Sequence, residues 1–197
     1  MTAEEKADME ALAARCRKGE FDAVISVGIG GSYLGNQALF DGICGPYWNE
    51  EDEETRRGLP QVFFAGQTAD PEAMASLLRY LRQQAGKKAD YAVLVLAISK
   101  SGTTAEPSGT LSVLERALPG FCRPVFVGIT DAAKGLLLEE CREKGWLHFA
   151  VPEGIGGRFS VFSQVGLVFA SILGMDIRQF LRGAKQVEEA CQSEDWR

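Results

Sequence analysis

Five short, almost continuously apolar runs recur along the chain, and they limit the possible folds more than any other feature. They span residues 23–27, 62–65, 92–98, 125–129 and 147–151. A strand with one solvated face alternates apolar and polar side chains, whereas a nearly unbroken apolar run is typical of a strand buried on both faces of a parallel sheet. The sequence therefore predicts a parallel sheet of five strands.

Helical patterns lie between these runs and provide the crossovers that parallel strands need. Asp70 and Pro71 are an N-cap and a first helical residue for a helix over 72–84. Asp131 is expected to cap another helix over 132–144, which Gly145 ends. This alternation with right-handed crossovers predicts a three-layer α/β/α sandwich with the flavodoxin-like strand order 2-1-3-4-5.

Length and composition favour one domain over residues 1–197. The chain has 46% hydrophobic and 24% charged residues, the balance of a soluble globular protein with one substantial core. Residues 176–191 form an amphipathic pattern, so we expect a terminal helix over 177–197.

Charge and hydropathy exclude two classes of partner. A net charge of -6 argues against binding to nucleic acid or anionic lipid, which requires a basic surface. No apolar stretch approaches the roughly 20 residues of a membrane span.

The five cysteines are scattered without a close pair, which fits free thiols in a cytoplasmic protein. We therefore expect a cytoplasmic protein without a metal site.

Glycine-bearing polar loops follow the first and third apolar runs. Gly28-Ile29-Gly30-Gly31-Ser32 follows the first, and Ser99-Lys100-Ser101-Gly102-Thr103-Thr104 follows the third. In the predicted strand order these two strands flank the topological switch point, where ligands collect in open α/β sheets. Glycines let the backbone approach an anion at a helix N-terminus, and several hydroxyls with one ammonium suit a phosphate monoester. For either loop alone, a plain capped turn remains an equal alternative.

Nucleotide sites fit these loops poorly. The pattern G-x-G-x-x-G from Gly28 requires glycine where Tyr33 stands, and no acidic residue follows the second strand. A Walker loop fails because Gly35 is followed by Asn36 and Gln37 rather than lysine and a hydroxyl residue.

A third segment, Gly156-Gly157-Arg158-Phe159-Ser160-Val161, places a cation on a glycine hinge after the last apolar run. Arg158 has two interpretations. It either ties the loop to a carboxylate or stabilises an oxyanion or enediolate that forms during a reaction. His148 is the sole histidine, which argues against a histidine-based triad, and we interpret it as an ordinary strand residue.

These three segments together resemble the glucose-6-phosphate isomerase family of sugar isomerase (SIS) domains. VGIGGSYLG is similar to the SIS phosphate-binding signature, ISKSGTTAEP to the second phosphate loop, and IGGRFSVFSQVGL to the signature that separates this family from other SIS proteins. The resemblance implies that the substrate phosphate is surrounded by Gly31, Ser32, Ser99, Lys100, Ser101, Gly102, Thr103 and Thr104.

The same resemblance implies a catalytic role for Arg158, over C1 and C2 of the sugar, where it stabilises a cis-enediol(ate). The family interconverts glucose 6-phosphate and fructose 6-phosphate in glycolysis and gluconeogenesis, uses no metal or organic cofactor, and its complete enzyme is expected to be a homodimer.

The family's proton-transferring glutamate, ring-opening histidine and C-terminal lysine lie beyond the third signature, and no residue here matches them. The family's helical N-terminal lead is also shortened in this sequence. We therefore expect an N-terminal SIS domain of a longer chain, with helix 177–197 leading toward a C-terminal SIS domain and no turnover in isolation. The alternative is a non-catalytic SIS module that senses a phosphosugar, although GGRFSV favours the enzyme.

Overall fold

The computed structural model describes residues 1–192, which fold into a five-stranded sheet with helices on both faces. The strands are β1 (Ala23–Val27), β2 (Gln61–Ala65), β3 (Ala92–Ile98), β4 (Arg123–Asp131) and β5 (Leu147–Val151). The α-helices are α1 (Ala3–Arg17), α2 (Gly31–Ile43), α3 (Pro71–Ala85), α4 (Ala105–Ala117), α5 (Leu136–Lys144), α6 (Gln164–Ile172) and α7 (Ile177–Cys191).

The sheet has the predicted order β2-β1-β3-β4-β5, and each neighbouring pair is parallel. Val27, the last residue of β1, is in register with Ala65 of β2 and Ala97 of β3. The loops that follow these three strands therefore leave the sheet at the same edge. The three-layer prediction is confirmed, and β1 and β3 flank the switch point as expected.

The central strand β3 is buried on both faces, and its alternate side chains enter two separate cores. Leu94, Leu96 and Ile98 pack with the core that contains residues of α1 and α6. Val93, Val95 and Ala97 pack with residues of α3, α4 and α5 on the other face. This double burial explains why the strand is continuously apolar in sequence.

The predicted start of α3 is confirmed. The Asp70 side chain accepts hydrogen bonds from the backbone N–H groups of Glu72 (2.8 Å) and Ala73 (3.3 Å), and Pro71 occupies the first turn. These contacts satisfy donors that the helix cannot pair internally.

The predicted start of α5 is wrong. Asp131 is the last residue of β4, which is longer than the apolar run because ladder pairing with β5 continues through Thr130 and Asp131. The Asp131 carboxylate does accept from the N–H groups of Ala133 and Lys134, as a cap would, but these bonds close a turn. Gly135 then has a φ of 118°, which a helix cannot contain, and α5 begins at Leu136.

Helix α1 is fastened to the far edge of the sheet by one carboxylate. Glu5 accepts from the backbone N–H of Ala150 in β5 (3.0 Å) and from the N–H of Thr2 (2.8 Å), and it also bonds the Gln164 amide at the start of α6 (3.5 Å). The same Thr2 and Glu5 form a capping box at the start of α1.

The expected terminal helix begins one residue after its Asp176 N-cap and is described through Cys191. The expected continuation over 193–197 lies outside the described residues. None of the side chains of α7 is buried, and Leu181 and Val187 are exposed.

Candidate functional site

A cleft of about 590 Å³ opens at the carboxyl edge of the sheet, between the loops that follow β1 and β3. Six of the eight residues predicted to surround a phosphate line it: Ser32, Ser99, Lys100, Ser101, Thr103 and Thr104. The two others, Gly31 and Gly102, are not among the lining residues, and their backbones lie against Gly157 and Leu137. The cleft therefore lies where the switch-point argument places a ligand.

The loop after β3 is shaped by its own hydroxyl groups. The Ser99 hydroxyl accepts from the backbone N–H of Gly102 (3.0 Å), and the Ser101 hydroxyl accepts from the N–H of Thr103 (3.2 Å) and contacts the Thr103 hydroxyl (2.8 Å). Thr104 is the N-cap of α4, yet its hydroxyl makes no capping bond. Hydroxyl and helix N-terminal N–H groups therefore gather at one point, which is suited to an anion.

This loop is held against the segment that links β4 to α5. The N–H of Asp131 donates to the carbonyl of Lys100 (3.2 Å), and the N–H of Leu136 donates to the carbonyl of Ser101 (3.1 Å). Gly102 has a φ of 71°, and a side-chain carbon there would overlap the backbone nitrogen of Leu137. The glycine is therefore required both by its conformation and by this close approach.

The loop after β1 lies directly against the third glycine segment. A side-chain carbon on Gly31 would overlap the carbonyl group of Gly157, so the two backbones touch. The Ser160 hydroxyl strengthens this contact by donating to the carbonyl of Gly31 (3.2 Å) or of Gly157 (2.6 Å). The first and third motifs, far apart in sequence, thus form one surface.

The second motif joins the same surface through Lys100. Its ammonium group donates to the carbonyl of Ile155, just before the third segment, at 3.3 Å. Residues 157–162 form a 3-10 helix, and the extended residue Ser163 then caps α6, which begins at Gln164. All three motifs that the sequence singles out therefore meet at one edge of the sheet.

Arg158 is exposed and lies outside the lining of the cleft. Its guanidinium stacks over the ring of Phe159, with 5.3 Å from the guanidinium carbon to the ring centroid. Within residues 1–192 it forms no ion pair with a carboxylate. The geometry therefore gives no support to the interpretation of Arg158 as an arginine that ties its loop to an acid.

Six lining residues are outside the predicted set. Ile29, Ile98 and Pro107 lie in or beside the predicted loops, whereas Asp131, Lys134 and Gly135 come from a segment that sequence reasoning missed. The sequence pattern assigns them to a helix, because Asp131 has the appearance of an N-cap. The glycine just before Leu136 is the sequence signal that could have revealed a loop. Hydrogen bonds from the N–H groups of Ala133 and Lys134, followed by the nearby Lys100 and Lys134 charges, lower the pKa of Asp131. The carboxylate is therefore ionised at neutral pH.

The histidine and the buried thiols lie away from the cleft lining. His148 is an exposed residue of β5, as expected. Burial raises the pKa of Cys16 to about 12 and that of Cys141 to about 11, so both remain protonated at neutral pH.

Within residues 1–192, no cluster of three or more His, Cys, Asp or Glu side chains could hold a metal ion. In the same part of the chain, no helix has the length and apolar character that crossing a membrane requires.

Comparison with known proteins identifies the family. The family profile described as phosphoglucose isomerase matches residues 5–195. The chain belongs to the phosphoglucose isomerase family. Glucose-6-phosphate isomerase of Pediococcus pentosaceus is 35% identical over 183 residues, which are 90% of this chain and 39% of that protein. The chain thus spans about two fifths of the length of this curated relative.

Solved structures agree with the fold. A hypothetical protein from Thermus thermophilus superposes with a TM-score of 0.72 and 29% identity, over 96% of this chain and 42% of that one. Phosphoheptose isomerase from Neisseria gonorrhoeae has a TM-score of 0.52 and 13% identity, over 87% of this chain and 84% of that one. At this identity the second likeness concerns the fold alone, which is the SIS fold predicted from the sequence.

Proposed function

We propose that this chain is the phosphate-binding SIS domain of a glucose-6-phosphate isomerase, which interconverts glucose 6-phosphate and fructose 6-phosphate. The observation that carries the proposal is the backbone contact between Gly31 and Gly157. It joins the predicted phosphate loop to the segment of Arg158. Membership of the phosphoglucose isomerase family supports the same reaction.

Phosphate binding is assigned to the hydroxyl and N–H groups of the two loops. Ser32, Ser101 and Thr104 line the cleft, and the first turns of α2 and α4 begin beside it. Such neutral donors, aided by the helix dipoles, bind an anion without burying several fixed cations. The phosphate would anchor the sugar while the reacting carbons extend toward the third segment.

Chemistry is assigned to Arg158. Isomerisation moves a proton between C2 and C1 through an enediol(ate), and negative charge develops on the adjoining oxygen. A guanidinium beside that oxygen stabilises the charge as it forms. Arg158 is suited to this role because it is adjacent to the Gly31–Gly157 contact and has no competing carboxylate within the described residues. The general acid and base are proposed to come from residues outside this chain.

The phosphate site is tested with the double variant Ser101→Ala and Thr104→Ala. Calorimetric titration with inorganic phosphate and with fructose 6-phosphate should show weaker binding to the variant. Each hydroxyl bonded to a charged group is worth about 1.5 to 3 kcal/mol, so we expect at least a ~100-fold loss of affinity.

A matched control changes two exposed serines that do not line the cleft, Ser76→Ala and Ser112→Ala. This variant should bind both ligands as the parent chain does. An unchanged affinity in the Ser101 and Thr104 variant would reject the assigned phosphate site.

A further inference from the structure

A third segment lines the cleft beside the two predicted phosphate loops, and it contributes one acidic and one basic residue. It consists of the β4–α5 segment, from which Asp131, Lys134 and Gly135 line the cleft. Lys134 forms no ion pair within residues 1–192. Lys134 thus adds a second lysine to a cleft lining that is otherwise rich in hydroxyls.

Lys100, the cation of the second motif, is already engaged. Its ammonium donates to the carbonyl of Ile155 and thereby connects the second motif to the third. A phosphate monoester carries a charge of about -1.5 to -2 at neutral pH. The hydroxyl and N–H donors of the two loops do not neutralise that charge, so a second cation at the edge of the cleft would add to the attraction that they provide.

The position of Lys134 is set by Asp131. The Asp131 carboxylate accepts from the backbone N–H groups of Ala133 (3.0 Å) and Lys134 (3.3 Å), which closes the turn that carries the lysine. The ends of the segment are held to the loop after β3, since the backbone N–H of Asp131 donates to the carbonyl of Lys100 and the N–H of Leu136 donates to that of Ser101. The Lys134 backbone is therefore fixed relative to the predicted phosphate position.

We propose that Lys134 is a second phosphate-binding cation of this cleft and that Asp131 is its positioning residue. The inference rests on the proposed function, since it concerns the same ligand. Asp131 also has a second effect, because it lines the same cleft and its negative charge opposes the phosphate. The carboxylate thus positions Lys134 through its oxygen atoms and limits the affinity through its charge.

The first test is Lys134→Gln, which keeps most of the length of the side chain and removes its charge. Affinity for inorganic phosphate and for fructose 6-phosphate should fall about tenfold, the effect of losing one hydrogen bond to a charged group. The affinity of the parent chain should also fall more steeply with added salt than that of the variant, because salt screens an exposed charge. Lys134→Arg should restore most of the binding.

Lys87→Gln is the matched control, because Lys87 is an exposed lysine that does not line the cleft. It should bind phosphate like the parent chain and show the same salt dependence. Thermal unfolding of each variant verifies that the fold is intact.

The second test compares two replacements of Asp131. Asn retains an oxygen that can accept the two N–H groups but lacks the charge, so Asp131→Asn should bind phosphate about two- to fivefold more tightly. Asp131→Ala removes both the charge and the acceptor that closes the turn, so this variant should bind phosphate more weakly than the Asn variant. Equal affinity of the two variants would overturn the positioning role.

The outcomes separate this inference from the proposed function. If Ser101→Ala with Thr104→Ala abolishes binding while Lys134→Gln leaves affinity and salt dependence unchanged, the phosphate site stands and the role of Lys134 is refuted. A parent chain that binds neither ligand refutes both. A tenfold loss in Lys134→Gln, restored by Arg, supports the second cation.

Discussion

At the scale of single residues, Arg158 allows the proposed chemistry to be tested separately from binding, because it does not line the cleft. In a complete isomerase that contains this domain, Arg158→Ala should lower kcat about 10²- to 10³-fold, as loss of a preorganised charge-stabilising group does. Sugar-phosphate affinity should stay within about threefold, since the interaction is made mainly in the transition state.

The control for Arg158 is Arg142→Ala, which removes an exposed arginine from α5 and should leave steady-state kinetics unchanged. A normal kcat with weakened binding in Arg158→Ala would move this arginine into the phosphate site. It would also favour the alternative in which the domain senses a phosphosugar without converting it.

The contact between the loop after β1 and the third glycine segment depends on Gly31. In Gly31→Ala the new methyl group would collide with the Gly157 backbone, which has no flexible side chain to move aside. We expect a loss of about 1 to 3 kcal/mol of unfolding free energy, together with weaker phosphate binding. Denaturant unfolding and titration measure the two effects.

Gly42→Ala provides the comparison, because Gly42 lies in the same helix α2 and a side-chain carbon there meets no atom within 4 Å. It should stabilise the protein by about 0.5 to 1 kcal/mol through its helix propensity. Equal stability of the Gly31 and Gly42 variants would show that the backbone contact is not tight.

At the scale of the elements, α1 depends on Glu5 for its connection to β5 and α6. Burial raises the pKa of Glu5, but the N–H groups of Thr2 and Ala150 outweigh it and hold the pKa below its ordinary value. A lowered folded-state pKa contributes stability that is fully present above about pH 4.3, the pKa of a solvated glutamate, and is lost as the pH falls through the folded-state value.

Glu5→Gln should therefore cost about 1 to 2 kcal/mol of unfolding free energy at pH 7, because an amide replaces a carboxylate that accepts two N–H groups. The difference from the parent chain should disappear at acid pH. Denaturant unfolding at several pH values measures it. Glu4→Gln, at an exposed neighbouring position, should show a smaller and less pH-dependent effect. A solvated glutamate is protonated below about pH 3. If the stability difference between Glu5→Gln and the parent chain persisted unchanged there, the charge of Glu5 would not be its cause.

At the scale of the whole molecule, the three motifs build a binding edge, but they include no carboxylate that we assign to proton transfer. The purified chain should therefore show no isomerase activity above background in a coupled assay with fructose 6-phosphate. Arg158→Ala, purified in parallel, provides the control, since activity from a contaminating host enzyme would appear equally in both. Activity present in the parent chain and lost in the variant would show that the base lies within these residues.

The sequence alone determined the class of fold and half of the residues that line the cleft. The continuously apolar β3 predicted a buried parallel sheet, because a strand covered on both faces has no solvated side chains to interrupt the pattern. The strand order then predicted that the loops after β1 and β3 lie close together. Six of the predicted phosphate residues line one cleft for this reason.

Tertiary structure decided the contacts between segments distant in sequence. No local pattern shows that Gly31 touches Gly157, since a glycine selected for close approach has the same sequence signature as one selected for a turn. Nor does a local pattern show that Asp131 ends a strand, because its carboxylate accepts the same two N–H groups in a turn as in a helix cap. Pairing with β5 settles that choice, and it places Lys134 at the cleft rather than within a helix.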